Sequence, residues 1–224
     1  MTPDTPPPPR ILLADDHTLL LDAFRRLLEP AFTVVATVTD GHALLEAARR
    51  LQPDIVVADI AMPHLNGLDA CERLLLDLPD TRLVFLTVSE DPDLAAEAIR
   101  RGAAGFLLKK GAASELFLAL ERVLAGQTYV TPLVLAEPAA VFVARARRAS
   151  PQPPLTLRQR EVLQLLAEGR SMKEAAEILR VTPRTIAFHK YGMMDQLGLE
   201  TGAELVQYAV RAGLVRPRGA PSPS

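Results

Sequence analysis

Between residues 11 and 126 the chain repeats one alternation of hydrophobic pattern five times. Short, nearly continuous apolar runs stand at ILLAD (11–15), TVVATV (33–38), DIVVAD (54–59), RLVFLTV (82–88) and GFLLK (105–109). Each is followed by a stretch whose Leu and Ala recur at helical spacing: TLLLDAFRRLLE (18–29), HALLEAARRL (42–51), GLDACERLLLD (67–77), DLAAEAIRRG (93–102) and ASELFLALERVLAG (113–126). A strand that is apolar throughout, rather than at every second residue, is covered on both faces. The pattern therefore predicts an α/β doubly wound domain over residues 10–126, with helices on both sides of a parallel sheet; if its strand order is 2-1-3-4-5, the ends of strands 1, 3, 4 and 5 converge on one edge.

The alternation stops after residue 126. Pro132, Pro138, Pro151, Pro153, Pro154 and the polar RARRAS segment (145–150) predict a linker over 127–154, with room for one short helix and a boundary at PQPP. From Leu155 four helical stretches follow, near 158–168, 171–179, 183–196 and 202–212, so a second, all-α domain is expected at 155–214. Gly169 closes the first of them as a glycine just past a helix end. Ser171 and Glu174 form a capping box for the next, and Thr182-Pro183 supply an N-cap and a first-turn proline for the third. Two helices joined by so short a turn read as a helix-turn-helix. The Pro-rich residues 1–9 and residues 215–224 read as solvated tails.

Composition narrows the class. The chain is 49% hydrophobic and 23% charged, with few aromatics and no Trp, which fits globular domains with aliphatic cores. Cys71 is the single cysteine and has no internal disulfide partner, as suits a reducing compartment. No apolar run nears the roughly 20 residues of a membrane span, and the N-terminus lacks an apolar signal segment, so a cytoplasmic protein without membrane association is expected. The net charge of −2 conceals a division: residues 1–130 hold 12 Lys+Arg against 19 Asp+Glu, whereas residues 131–224 hold 13 against 8. A basic C-terminal half suggests a polyanionic partner.

In a doubly wound sheet, ligands collect beyond the carboxyl ends of the strands. There the sequence sets Asp15-Asp16 after strand 1, Asp59 after strand 3, Thr87 after strand 4 and Lys109 after strand 5. Three carboxylates at one edge repel one another and call for a cation; oxygen ligands with room for water favour Mg²⁺. Asp59 is then placed to attack phosphorus, with Lys109 pairing with the product and Thr87 donating a hydrogen bond to it. Taken alone, an Asp after a strand is more often a helix N-cap, which is the simpler reading of Asp15. His17 reads as capping or packing at the helix start, and His42 and His64 lack partners at ligand spacing.

These segments, ILLADDH (11–17), PDIVVADIAMPHLNGLDA (53–70), VFLTVSE (84–90) and GAAGFLLKKGAASEL (102–116), resemble the receiver domain of two-component response regulators, which has a flavodoxin-like fold. The resemblance implies that Asp59 is the phospho-acceptor, that Asp16 and Asp59 bind Mg²⁺ directly, that Asp15 acts through water, and that Ala61 adds its backbone carbonyl. It implies Thr87 and Phe106 as a switch pair beside Lys109, and a sensor histidine kinase as partner.

On the helix from Pro183, Ile186, Met193 and Leu197 share the face expected to be buried, while Arg184, Ala187, Phe188, Tyr191 and Asp195 share the opposite one. That outer face, with Thr185, suits the major groove of double-stranded DNA, and Lys173, His189 and Lys190 are placed for phosphates. Residues 155–214 resemble the LuxR-type DNA-binding domain of NarL/FixJ-class regulators through L-T-x-R-x-x-E-V-L-x-L-L-A-x-G, S-x-K-E-x-A, T-I-x-x-H, Q-L-G and A-E-L-V-x-Y-A-V-R-x-G-L. Met172, Ala187, Gln196 and Gly202 depart from that family's usual Asn, Lys, Lys and Arg, which weakens phosphate attraction. Together the halves imply a non-enzymatic response regulator, phosphorylated on Asp59 and binding DNA as a homodimer. Before phosphorylation, the receiver either covers the recognition helix or leaves the chain monomeric. Leu205, Val206 and Ala209 form either a dimer surface or part of their own bundle. A phosphorylation-independent DNA-binding regulator and a phosphatase using the Asp59 site are the alternatives.

Overall fold

The computed structural model describes residues 7–148 and 155–215. Strands β1 (Arg10–Ala14), β2 (Thr33–Val38), β3 (Ile55–Asp59), β4 (Arg82–Thr87) and β5 (Gly105–Leu108) alternate with helices α1 (Thr18–Leu28), α2 (Gly41–Leu51), α3 (Gly67–Asp77), α4 (Pro92–Arg100) and α5 (Ala112–Leu124). All strand pairs are parallel. The pleat sends successive side chains to opposite faces. Leu12, Val56, Ala58, Phe85 and Phe106 enter the layer beneath α2, α3 and α4, while Ile11, Leu13, Val57, Val84 and Leu107 enter the layer beneath α1 and α5. Burial on both faces is the reason these strands read as unbroken apolar runs.

Helices α2, α3 and α4 start where the sequence supplies a cap. Asp40 accepts backbone N–H bonds from His42 and Ala43, Asn66 accepts one from Asp69, and Asp91 accepts one from Asp93. Gly67, the first residue of α3, is required by contact rather than by φ: a Cβ there would lie 2.1 Å from the Asp59 carbonyl oxygen. That close approach seats α3 directly on the end of β3.

The sheet order is β2-β1-β3-β4-β5-β6, one strand more than the pattern predicts. The sixth, β6 (Tyr129–Val130), lies in the stretch expected to be linker, and is followed by a 3₁₀ turn (Pro132–Val134) and α6 (Ala139–Arg148). A strand of two residues shows no periodicity, and Pro132 directly after it reads as a breaker. Its anchors are tertiary. The Thr131 N–H donates to the Phe106 carbonyl at 2.9 Å, and Thr131 Oγ1 accepts from the Leu108 N–H at 3.2 Å and donates to Glu115 at 2.9 Å. Val130 and Phe142 are buried in the α2–α4 layer. Residues 129–148 thus complete the first domain and cover its sheet edge. The expected PQPP boundary and most of both expected tails lie outside the described residues.

The second domain packs α7 (Leu157–Ala167), α8 (Met172–Ile178), α9 (Pro183–Leu197) and α10 (Gly202–Arg211) around Val162, Leu165, Ala176, Ile186, Met193 and Leu205. The Ser171/Glu174 capping box is present, and two further boxes, Thr156/Gln159 and Thr201/Glu204, start α7 and α10. Backbone N–H bonds from Ser171, and from Glu200 and Thr201, hold the Glu174 and Glu204 carboxyls below their ordinary range. Leu205 and Ala209 are buried in this bundle and Val206 is partly exposed. Among the described residues no helix is long and apolar enough to cross a membrane.

Candidate functional site

Beyond the carboxyl ends of β1, β3 and β5 the structure brings Asp15, Asp59 and Lys109 together. Lys109 Nζ lies 2.5 Å from Asp15 Oδ2 and 2.9 Å from Asp59 Oδ2, and all three side chains are nearly fully buried. The ladder explains the placement: the Lys109 N–H donates to the Thr87 carbonyl at 2.7 Å, extending the β4–β5 pairing by one residue and turning its ammonium over the ends of β3 and β1. An ammonium wedged between two buried carboxylates supplies the positive charge they need inside a low-dielectric site.

Asp16 is one-third exposed at the rim, and the His17 ring approaches both neighbouring carboxylates, 3.2 Å from Asp15 Oδ1 and 2.9 Å from Asp16 Oδ1. His17 occupies the N-cap position of α1 but makes no side-chain cap bond; instead its N–H donates to Asp15 at 2.9 Å. Asp15, Asp16 and His17 offer ligand atoms within 4.8 Å of one another. The residues fit a hard divalent cation: carboxylate oxygens dominate, and Lys109 already marks where positive charge is stabilised. The Ala61 N–H faces Asp59 Oδ1 at 3.4 Å, within the turn after β3. Thr87 is buried, with its Oγ1 accepting from the Ser89 N–H at 3.1 Å. Phe106 lies fully inside the core, in register with Phe85, and does not reach the carboxylates.

On the helix-turn-helix, Arg184, Phe188, Tyr191 and Asp195 are exposed along one face of α9, Ala187 is half-buried among them, and Ile186 and Met193 are buried opposite. Phe188 is 75% exposed and Tyr191 60%, so neither packs on a neighbouring helix. The Phe188 ring meets the His189 ring edge-on, and Lys190 Nζ stands 5.5 Å from the Tyr191 ring centre. Lys173 is exposed on α8. Thr185, by contrast, is tied into the N-cap, its Oγ1 lying 2.9 Å from that of Thr182.

A third set of residues escapes the sequence reading: the interface between the domains. On α7, Arg160, Glu161 and Gln164 are buried although they are polar. Arg160 Nε donates to Asp69 Oδ1 at 2.6 Å and its Nη2 to Glu72 at 2.9 Å, and Arg101 Nη1 donates to the same Asp69 oxygen at 2.7 Å. Arg73 pairs with Glu161. Gln164 Nε2 donates to the Met62 carbonyl at 2.6 Å and its Oε1 accepts the Asn66 N–H at 2.8 Å, while Glu168 accepts the His64 N–H at 3.1 Å. The only trace of this in the sequence is the i, i+4, i+8 spacing of Arg160, Gln164 and Glu168, which equally describes a solvated helix face. The recognition helix is not part of this contact, so the expectation that the receiver covers it does not describe this structure.

A parallel α/β domain with buried strand-end carboxylates and a lysine, joined to a helix-turn-helix with an open outer face, defines a signal-receiving DNA-binding regulator. A model of the response regulator receiver domain matches residues 11–121, and one of the luxR family of bacterial regulatory proteins matches residues 153–209. The chain belongs to the response regulators that join a receiver to a LuxR-type DNA-binding domain. It is similar to the transcriptional regulatory protein MctR of Rhizobium johnstonii, 36% identical over 94% of this chain and 97% of that protein. It is also similar to the oxygen regulatory protein NreC of Staphylococcus aureus, 33% identical over 92% of this chain and 99% of that one. Among solved structures, Salmonella typhimurium RcsB superposes with a TM-score of 0.65 at 25% identity, covering 92% of this chain and 99% of that one. The same regulator bound to a promoter with a phosphomimetic beryllofluoride gives 0.61 at 25% identity, covering 89% and 97%.

Proposed function

We propose that this chain is phosphorylated on Asp59 by a sensor histidine kinase and then binds DNA as a homodimer to regulate transcription. The observation that carries this reading is Lys109 between Asp15 and Asp59, because that arrangement is made to receive an anion on a carboxylate. In the transfer, an Asp59 carboxylate oxygen forms a bond to the donor's phosphorus. The donor's bond to phosphorus breaks, its leaving group keeps the electron pair, and an acyl phosphate results. Lys109 transfers its pairing from the carboxylate to the new phosphoryl oxygens. Thr87, at the adjacent strand end, exchanges its bond to Ser89 for one to the phosphoryl group, and Phe106 in the next strand responds through the shared ladder.

Mg²⁺, held by Asp16 and Asp59 with the Ala61 carbonyl and with Asp15 acting through water, would supply neutralisation of the crowded negative charge. On the DNA side, Arg184, Ala187, Phe188 and Tyr191 face the groove, and Lys173, His189 and Lys190 meet phosphates. Thr185 contributes through the N-terminal turn that it helps to fix. Gln164 and Glu168 favour this regulated reading over a phosphorylation-independent regulator, because their bonds to Met62, Asn66 and His64 tie the DNA-binding half to the loop that follows Asp59. The test is incubation with acetyl phosphate and Mg²⁺, read by intact mass. One phosphoryl group is expected on the wild type and none on Asp59→Asn; rapid turnover of many phosphate esters would instead indicate a phosphatase.

A further inference from the structure

We propose that His17 is a metal ligand, which gives the strand-end site a preference for a divalent transition metal of the Mn²⁺ class over Mg²⁺. The inference rests on the cation reading above and adds to it the donor that sets which ion is taken.

His17 holds the N-cap position of α1, where a short oxygen-bearing side chain ordinarily bonds the first turn. Its ring makes no such bond. The imidazole is turned back over the acidic pair instead, with Nδ1 3.2 Å from Asp15 Oδ1 and 2.9 Å from Asp16 Oδ1. Two donors at right angles on an octahedral ion, with bonds of about 2.1 Å, lie about 3 Å apart. Both separations therefore match an edge of a coordination shell. Among the described residues, Asp15, Asp16 and His17 are also the set of His, Cys, Asp or Glu whose ligand atoms converge within 4.8 Å. Asp59 stands outside that set, with Lys109 Nζ 2.9 Å from its Oδ2.

The turn after β1 fixes this arrangement. The His17 N–H donates to Asp15 Oδ1 at 2.9 Å, while Lys109 engages the other oxygen of that carboxylate at 2.5 Å, so Oδ1 is the oxygen turned to the ring. The His17 and Asp16 side chains are 27% and 33% exposed, and a hydrated ion reaches them without any opening of the receiver. The donors then decide the ion. Carboxylate and water oxygens suit Mg²⁺, which gives up its waters reluctantly. An imidazole nitrogen adds little for Mg²⁺ and more for the first-row transition metals, in the order that rises from Mn²⁺. Loading exchanges the proton that Nδ1 shares with the carboxylate oxygens for the metal, and that proton leaves to water. A ring that only hydrogen-bonded the two carboxylates would act on every divalent ion alike.

The full-length protein is loaded with Mn²⁺ alone and read by electron spin-echo envelope modulation. Beside it stand His17→Phe, which keeps a ring without nitrogen, and His17→Ser, which supplies an N-cap hydroxyl in its place. Calorimetry gives the Kd of Mn²⁺ and of Mg²⁺ for each protein. The expected result is imidazole nitrogen modulation in wild type and none in either variant. The preference for Mn²⁺ over Mg²⁺ should fall on the order of tenfold in both variants. Bound Mn²⁺ without nitrogen modulation in wild type, modulation that persists in the variants, or equal losses for the two ions overturns the ligand role while leaving the cation and acceptor readings intact. Absence of Mn²⁺ and Mg²⁺ binding to wild type overturns the cation reading, and the ligand role with it.

Discussion

Replacing Lys109 with Gln probes the charge balance of the strand-end site. The substitution replaces the ammonium by a neutral amide on a side chain one atom shorter, leaving Asp15 and Asp59 buried at 2–3% exposure without the ammonium that now lies 2.5 and 2.9 Å from them. Breaking a buried ion pair by removing one partner costs about 3–5 kcal/mol. Asp16 opens the rim to water, which places the expected loss near the lower end, about 3 kcal/mol. For a domain of this size that is a fall in Tm of about 10 °C. The assay is thermal unfolding followed by circular dichroism, in a chelator and again in Mg²⁺. A cation that binds only the folded site adds about 2.7 kcal/mol at 100 times its Kd. Without Lys109 competing for the same carboxylates, Mg²⁺ should bind the variant more tightly and raise its Tm further than it raises that of wild type. Equal melting in chelator, or equal gains from Mg²⁺, would refute the claim that Lys109 stands in for a cation.

Other outcomes follow from neighbouring features. Gly67→Ala forces a Cβ to 2.1 Å from the Asp59 carbonyl oxygen and should cost about 3 kcal/mol, read as a lower urea midpoint. Cys71 is fully buried, and burial pushes its thiol pKa well above the ordinary range, so a thiol reagent should modify it only as the receiver unfolds. Phe188→Ala should weaken binding to a duplex selected from a random pool by about 1 kcal/mol or more. Replacing contacted thymines by deoxyuridine should weaken wild type but not that variant, because only the C5 methyl is lost; equal losses in both would exclude a methyl contact.

The first domain is largely legible because its inner strands are covered on both faces and α2, α3 and α4 have their caps written before them, at Asp40, Asn66 and Asp91. Asp15, Asp59 and Lys109 are legible for a topological reason: parallel strands bring all their carboxyl ends to one edge, so residues 44 and 50 positions apart become neighbours. What the pattern does not carry is contact that depends on a third dimension. Strand β6 is too short to show a period, and Thr131 earns its place only through the Leu108 N–H and Glu115. The interface on Arg160 and Gln164 is illegible for the opposite reason, since polar residues on a helix ordinarily face water. His17 lies between: its position at the helix start is readable, but its approach to both carboxylates comes from the turn after β1.

Phosphate-dependent DNA binding is the central claim. The direct measurement is fluorescence anisotropy on a duplex selected from a random pool, for wild type and Asp59→Asn, each with and without acetyl phosphate and Mg²⁺. Wild type should bind more tightly when phosphorylated, with Asp59→Asn unchanged by the donor. Equal affinity for wild type in both conditions, once mass confirms the phosphoryl group, would contradict the account.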